Sequence, residues 1–153
     1  MDAIQFLKQE HRKAKAAFAK VLAAEPARRG ELWRELQPEL KAHEKMERTY
    51  LYGPLSQERS VDTMDTMLRE WVTDLHQEEV DEVERLIAKT ERLDPEDDGW
   101  LSTVQLIHTA LENHISQEEG EIFPRIGEVW DRAKIAKAGE EMSGMKAHEA
   151  GRR

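Results

Sequence analysis

The sequence predicts an all-α fold: an up-down-up-down antiparallel four-helix bundle with a C-terminal helical extension. Three observations predict it. Four segments of roughly 20 to 30 residues carry apolar side chains at three-and-four spacing, the period of one helix face, and none alternates with period two. Turn-forming clusters separate them at residues 25–30, at Gly53-Pro54 with the following Ser56 to Ser60, and at residues 94–99. The length, 153 residues, suits one domain with one core. Long amphipathic helices joined by short loops pack as antiparallel neighbours.

Each element has its own signature. In the first, Asp2 is the expected N-cap, and Ile4, Leu7, His11, Ala14, Phe18 and Leu22 share the inner stripe. The second places Trp33, Leu36, Leu40, His43, Glu47 and Tyr50 inward. Pro38 lies inside that segment, so the helix is expected either to kink there or to start near residue 37. The third offers Met64, Leu68, Val72, His76, Val83 and Ile87; the fourth offers Trp100, Val104, Ile107, Leu111, His114, Glu118 and Ile122. Pro124 is read as the next break. A weaker fifth helix is expected from about residue 125, interrupted near Ser143-Gly144 and frayed at its end. Residues 1–125 thus form the bundle and 126–153 the extension.

Composition narrows the function classes. Asp and Glu number 32 against 23 Lys and Arg, a net charge of −9 that makes a poor footprint for nucleic acid. Apolar runs are only a few residues long, so neither a membrane span nor a secretory signal is expected, and cytoplasm is the default location. Cysteine is absent, which removes disulfides, thiolate metal sites and cysteine nucleophiles together. No G-x-S-x-G elbow and no Gly-rich phosphate loop occurs.

Against that background the histidines stand on the wrong face. Each of the four helices carries one on its apolar stripe: His11, His43, His76 and His114. Two are followed by glutamate, as His43-x-x-x-Glu47 and His114-x-x-x-Glu118, and residues four apart point the same way on a helix. One buried histidine is ordinary core chemistry. Four imidazoles and two carboxylates turned into one core need compensation, since each buried, unpaired charge costs several kcal/mol. Metal is the natural compensation, and imidazole with carboxylate suits iron, with manganese or zinc as alternatives. The set is too large for one tetrahedral zinc. It suits two ions, each with two imidazoles, sharing Glu47 and Glu118 as bridges and leaving an open position for a small ligand.

Helix arithmetic supports a common depth. His11, His43 and His114 fall about 12 to 14 Å from one end of the bundle, and Glu47 and Glu118 about 6 to 8 Å. His76 would lie about 24 Å in if its helix began at Ser60. Residues 56 to 66 are therefore expected to overhang or bend away. A ferritin-like di-iron site needs Glu-x-x-His, and no histidine here has a glutamate three residues before it.

At these residues the chain resembles a known family. His11 in "KQEHRKAK", His43 and Glu47 in "HEKME", His76, and His114 and Glu118 in "HISQEEGEIFP" look like the hemerythrin-like HHE cation-binding family. The "YLYGP" and "IFP" endings after the two paired motifs belong to the same likeness, which covers roughly residues 2–125. It implies a four-helix bundle around a non-haem di-iron centre held by His11, His43, Glu47, His76, His114 and Glu118. It also implies a small diatomic or peroxide as partner: oxygen, nitric oxide or peroxide bound or sensed. A stress enzyme is the alternative, either breaking down peroxide or repairing iron centres, although the repair proteins carry a cysteine-containing segment absent here. An iron-responsive interaction module is the third reading; no protein partner is indicated.

Oxygen-carrying hemerythrins differ at two points. They place a further histidine four residues after the third-helix one, where this chain has Val80, and they end in His-x-x-x-x-Asp where this chain has His114-x-x-x-Glu118. Glu79, three residues after His76, is expected to be a solvated charge, with the coordination position freed at Val80 as its alternative. Glu119 is the alternative to Glu118 as bridge, and register favours Glu118, because one residue beyond it turns about 100° off the face. Tyr50 is assigned to core packing, with a place beside the metals as its alternative. His108 is expected at a helix interface, His148 in solvent, and the four tryptophans in packing only.

Overall fold

The computed structural model describes residues 1–151, and the regular structure among them is entirely helical. Helix α1 is Ala3–Ala23. Helix α2 spans 26–56 as Pro26–Glu47, a π-helical turn Arg48–Tyr52, and Gly53–Ser56. After a 3₁₀ turn at Val61–Thr63, α3 spans 66–90 as Thr66–Glu70, a π-helical turn Trp71–Leu75, and His76–Thr90. Helix α4 spans 98–129 as Asp98–Gln117, a π-helical turn Glu118–Ile122, and Phe123–Val129. Helix α5 is Arg132–Gly151.

The caps follow the chemistry of the sequence. The Asp2 carboxylate accepts from the Gln5 amide at 2.9 Å while the Gln5 side chain accepts from the Asp2 amide, a reciprocal capping box that starts α1. Pro26 opens α2 at the first helical turn, where its missing N–H costs nothing. Asp65 caps α3 through the Met67 amide, and Asp131 accepts from Lys134 at the start of α5.

Helices α1 to α4 form the bundle: α1 packs on α2 and α4, and α3 packs on α4. Helix α5 lies across α1 and the end of α2. The inward residues predicted for each helix are all buried or half-buried. They divide into two apolar clusters. One, around Leu7, Leu51, Leu68, Trp71 and Ile126, occupies the end of the bundle capped by α5. The other, around Phe18, Trp33, Ile87, Trp100 and Ile107, occupies the opposite end. Between them lies a polar layer.

Three local expectations are corrected. The second helix neither starts at residue 37 nor ends at Gly53; it begins at Pro26 and passes through Pro38, which sits on the exposed face. Pro124 does not end the fourth helix. The preceding π-helical turn shifts the bonding register by one residue, so that the Phe123 amide reaches Glu118 O and the amide that proline lacks is not needed in the ladder. The same device precedes Pro54, where the Gly53 amide bonds Arg48 O. The fifth helix starts later than expected, at Arg132, and is unbroken through Ser143-Gly144, because Ala138 and Met142 are buried and hold it down. The bend expected over residues 56 to 66 is present: α3 begins at Thr66, which puts His76 about 15 Å from its start.

Candidate metal centre

All six predicted residues converge on the polar layer. His11 comes from α1, His43 and Glu47 from α2, His76 from α3, and His114 and Glu118 from α4. They form two overlapping groups, His11-His43-Glu47-Glu118 and Glu47-His76-His114-Glu118, and in each the ligand atoms lie within 4.8 Å of one another. Glu47 and Glu118 belong to both and are 0% exposed.

Glu47 divides its carboxylate between the groups. Its Oε1 lies 2.7 Å from His43 Nε2 and 3.8 Å from His11 Nε2. Its Oε2 lies 3.0 Å from His76 Nε2 and 3.9 Å from His114 Nε2. Glu118 places Oε1 between His11 Nε2 at 3.4 Å and His114 Nε2 at 3.2 Å. His11 Nε2 and Glu118 Oε1 are buried without a hydrogen-bond partner among the described residues. Two lone-pair donors aimed at a shared space without satisfying each other fit a cation between them.

The far sides of the rings are held as well. Glu119 Oε2 lies 2.7 Å from His11 Nδ1, and Glu79 Oε1 lies 2.9 Å from His114 Nδ1. A carboxylate on Nδ1 fixes the ring and its tautomer and leaves Nε2 as the metal-facing lone pair. Both findings correct the sequence reading. Glu79 is not a free solvated charge, and Glu119 is not off the face. The π-helical turn starting at Glu118 is wider than an α-turn, so two consecutive carboxylates reach inward.

Three residues near the centre were not singled out for it by sequence. The Tyr52 hydroxyl donates to Glu118 Oε2 at 2.5 Å, and its ring lies 4.4 Å from that of His76. It occupies the place considered for Tyr50, and again a π-helical turn, Arg48–Tyr52, sets the difference in register. Glu44 Oε2 lies 3.4 Å from His76 Nε2. Trp71, fully buried, packs its ring against His76 at 5.6 Å and His114 at 5.2 Å, beyond the general packing expected of it. The "Y-G-P" and "F-P" that follow the two paired motifs were the available signal for the shifted turns. His108 pairs with Glu112 and packs on Phe18, away from the centre, and His148 is exposed on α5.

The electrostatics are those of a proton-filled cluster. Burial opposes charge on His11, yet the close carboxylates of Glu118 and Glu47 outweigh it and raise its pKa to about 10. Burial likewise opposes charge on His76, and Glu44 and Glu47 carry it up to about 9. His114 is raised, against burial, by Glu118 and Glu47. Burial works against ionised Glu47, but His43, His11 and His114 hold it well below the usual carboxylate range. Burial raises Glu44, and burial with the charge of Glu118 keeps the Tyr52 hydroxyl protonated. The cluster thus holds protons where cations would sit.

Comparison with known proteins gives the family and the fold. The family model described as Hemerythrin HHE cation binding domain matches residues 2–126. No curated protein matches. Among solved structures, a hemerythrin HHE cation binding domain-containing protein from Mycobacterium kansasii is similar in fold, with a TM-score of 0.80 and 24% identity over 99% of this chain and 89% of that one. Among the described residues no helix is long and apolar enough to cross a membrane.

Proposed function

The chain belongs to the hemerythrin HHE cation-binding family, and from that premise we propose that it is a non-haem di-iron protein that binds or senses oxygen, nitric oxide or peroxide. The observation that carries the reading is the pair of four-residue groups sharing Glu47 and Glu118. His11 and His43 would hold one ion, His76 and His114 the other, and the two carboxylates would serve both.

The donor set is nitrogen and oxygen only, which favours iron and leaves manganese or zinc as lesser alternatives. Two iron ions would supply redox chemistry and an open position for a diatomic or peroxide ligand. The chain supplies the rest. Glu79 and Glu119 orient the rings. Trp71, Tyr52 and Phe123, all buried, wall the layer against bulk water on the side of α5. Val80 stands where oxygen carriers have a further histidine, so one position is left for ligand.

Turnover of peroxide is the second reading, and one observation favours it. Tyr52 keeps a proton on an oxygen 2.5 Å from Glu118, at the centre itself. A group that donates a hydrogen bond there is more than simple binding requires.

Metal analysis of protein produced in iron-rich medium tests the main reading, combined with near-ultraviolet absorption. Iron in twofold ratio to chain, removed in Glu47→Ala, supports it; protein that stays free of metal under those conditions refutes it. Oxygen evolution from peroxide, abolished in His114→Ala, would place turnover ahead of binding.

A further inference from the structure

Val80 leaves the position of His76 and His114 one donor short of its counterpart in oxygen carriers, and a carboxylate stands beside the gap. Glu44 precedes Glu47 by three residues, so the two share a face of α2. Both reach the same atom. His76 Nε2 is 3.0 Å from Glu47 Oε2 and 3.4 Å from Glu44 Oε2. The other oxygen, Glu44 Oε1, is buried and has no hydrogen-bond partner among the described residues. A carboxylate sealed from water with one oxygen bare carries the desolvation penalty of an unmatched acceptor, which a cation beside it would relieve.

Which nitrogen Glu44 meets decides what it can do. Glu119 and Glu79 sit on Nδ1 of His11 and His114, behind the rings, and can stay there whether Nε2 carries a proton or a metal. Glu44 sits on Nε2 itself, the nitrogen turned to Glu47 and the shared space. An imidazole nitrogen that binds a cation has no proton left to offer. Metal at His76 therefore takes away the partner that Glu44 has in the metal-free protein. The carboxylate is then left either to bind the ion or to stand as a buried, unpaired charge, and the second is costly.

We propose that Glu44 is a terminal ligand of the ion held by His76 and His114, closing the place that Val80 leaves and yielding it to an incoming small ligand. The proposal rests on the reading of the centre as a di-iron site and concerns how one of its positions is kept. Val80, Glu44 and His114 line one cleft of about 440 Å³, so a small ligand has a way in and the displaced carboxylate has space to turn. In that exchange one bond to the ion replaces another and no electron moves.

Glu44→Gln keeps the shape and removes the charge, and Glu44→Leu removes the donor with a good helix former. In competition with a calibrated chelator, both are expected to lose about tenfold or more in affinity for one of the two irons, with the other little changed. Azide, a small anion, then reads the freed place. Titrated into protein kept saturated with iron and followed by absorption, it is expected to bind several-fold tighter in both variants than in the unaltered chain, since it no longer displaces a carboxylate. Glu79→Gln is the control. It removes a charge from the same cleft but behind the His114 ring, so it is expected to weaken metal without tightening azide. Unaltered metal affinity in both Glu44 variants, azide no tighter in either, or azide tightened equally by Glu79→Gln would overturn the proposal. Failure of the di-iron reading shows separately, as unaltered protein that takes up no pair of irons.

Discussion

Tyr52 and Glu118, 66 residues apart in sequence, meet at 2.5 Å in the buried centre of the bundle. The bond ties α2 to α4 at a carboxylate that serves both groups of candidate ligands. Tyr52→Phe removes the donor and keeps the ring, leaving Glu118 Oε2 without its partner in a site with no exposure. Loss of such a bond costs about 1 to 3 kcal/mol in the metal-free protein. Thermal unfolding should therefore show a lower Tm for Tyr52→Phe without metal. A metal ion on Glu118 should narrow that difference, and an unchanged metal-free Tm would show the bond to be unimportant.

The division of Glu47 between the two groups predicts unequal losses of metal. Glu47→Ala removes oxygen from both groups, whereas His43→Ala removes a ring from one only. Metal content by elemental analysis should fall much further in Glu47→Ala than in His43→Ala. Equal losses would mean that the two positions fill as a unit.

Glu79 and Glu119 act through the rings they hold. Outer partners of this kind are worth about 10- to 100-fold in metal affinity. Glu79→Ala should weaken the position served by His114, and Glu119→Ala the position served by His11. Competition against a calibrated chelator reads both. Because His11 and His114 flank the same Glu118 Oε1, the double variant should depart from additivity in free energy.

Much of this site was legible from helix period alone. Three-and-four spacing put His11, His43, His76 and His114 on inner faces, and i to i+4 geometry brought in Glu47 and Glu118. Tyr52, Glu119 and the run-on through Pro124 were hidden for a common reason. Each depends on a π-helical turn, and a face drawn at 100° per residue loses register there. Glu44 and Glu79 were hidden differently, since three-residue spacing from His76 or Glu47 does not distinguish a solvated carboxylate from one drawn in by a ring on another helix.

The metal-free protein should lose stability as pH rises. A histidine has a pKa near 6.5 when unfolded, whereas folded His76 and His11 titrate at about 9 and about 10. Between those limits the folded state binds more protons, so the slope of unfolding free energy with pH is negative. The contribution is complete below about pH 6.5 and is lost as pH passes through the folded values. Tm without metal should drop by roughly 5 °C or more from pH 7 to pH 10. Metal binding should release protons at pH 7, measurable as heats that vary with the ionisation enthalpy of the buffer. A Tm that holds constant over this range would contradict protonated rings.

Two glycines of α5 should respond to the same substitution with opposite signs. In an open helix position, replacing glycine with alanine gains about 0.5 to 1 kcal/mol, through restricted backbone freedom in the unfolded chain and better helix propensity. Gly144 meets that condition, since an added Cβ would touch nothing within 4 Å. Gly139 does not. A Cβ there would press on the backbone of Met1, Asp2 and Ala3, closer than real Cβ atoms approach, and helix-start backbone held by a capping box cannot give way as a flexible side chain would. Overpacking of this kind costs about 1 to 3 kcal/mol and outweighs the helix gain. Gly144→Ala should raise Tm and Gly139→Ala should lower it, by a few degrees each. If Gly139→Ala is neutral, α5 is not seated on the start of α1 in solution, and its cover over that end of the core is loose.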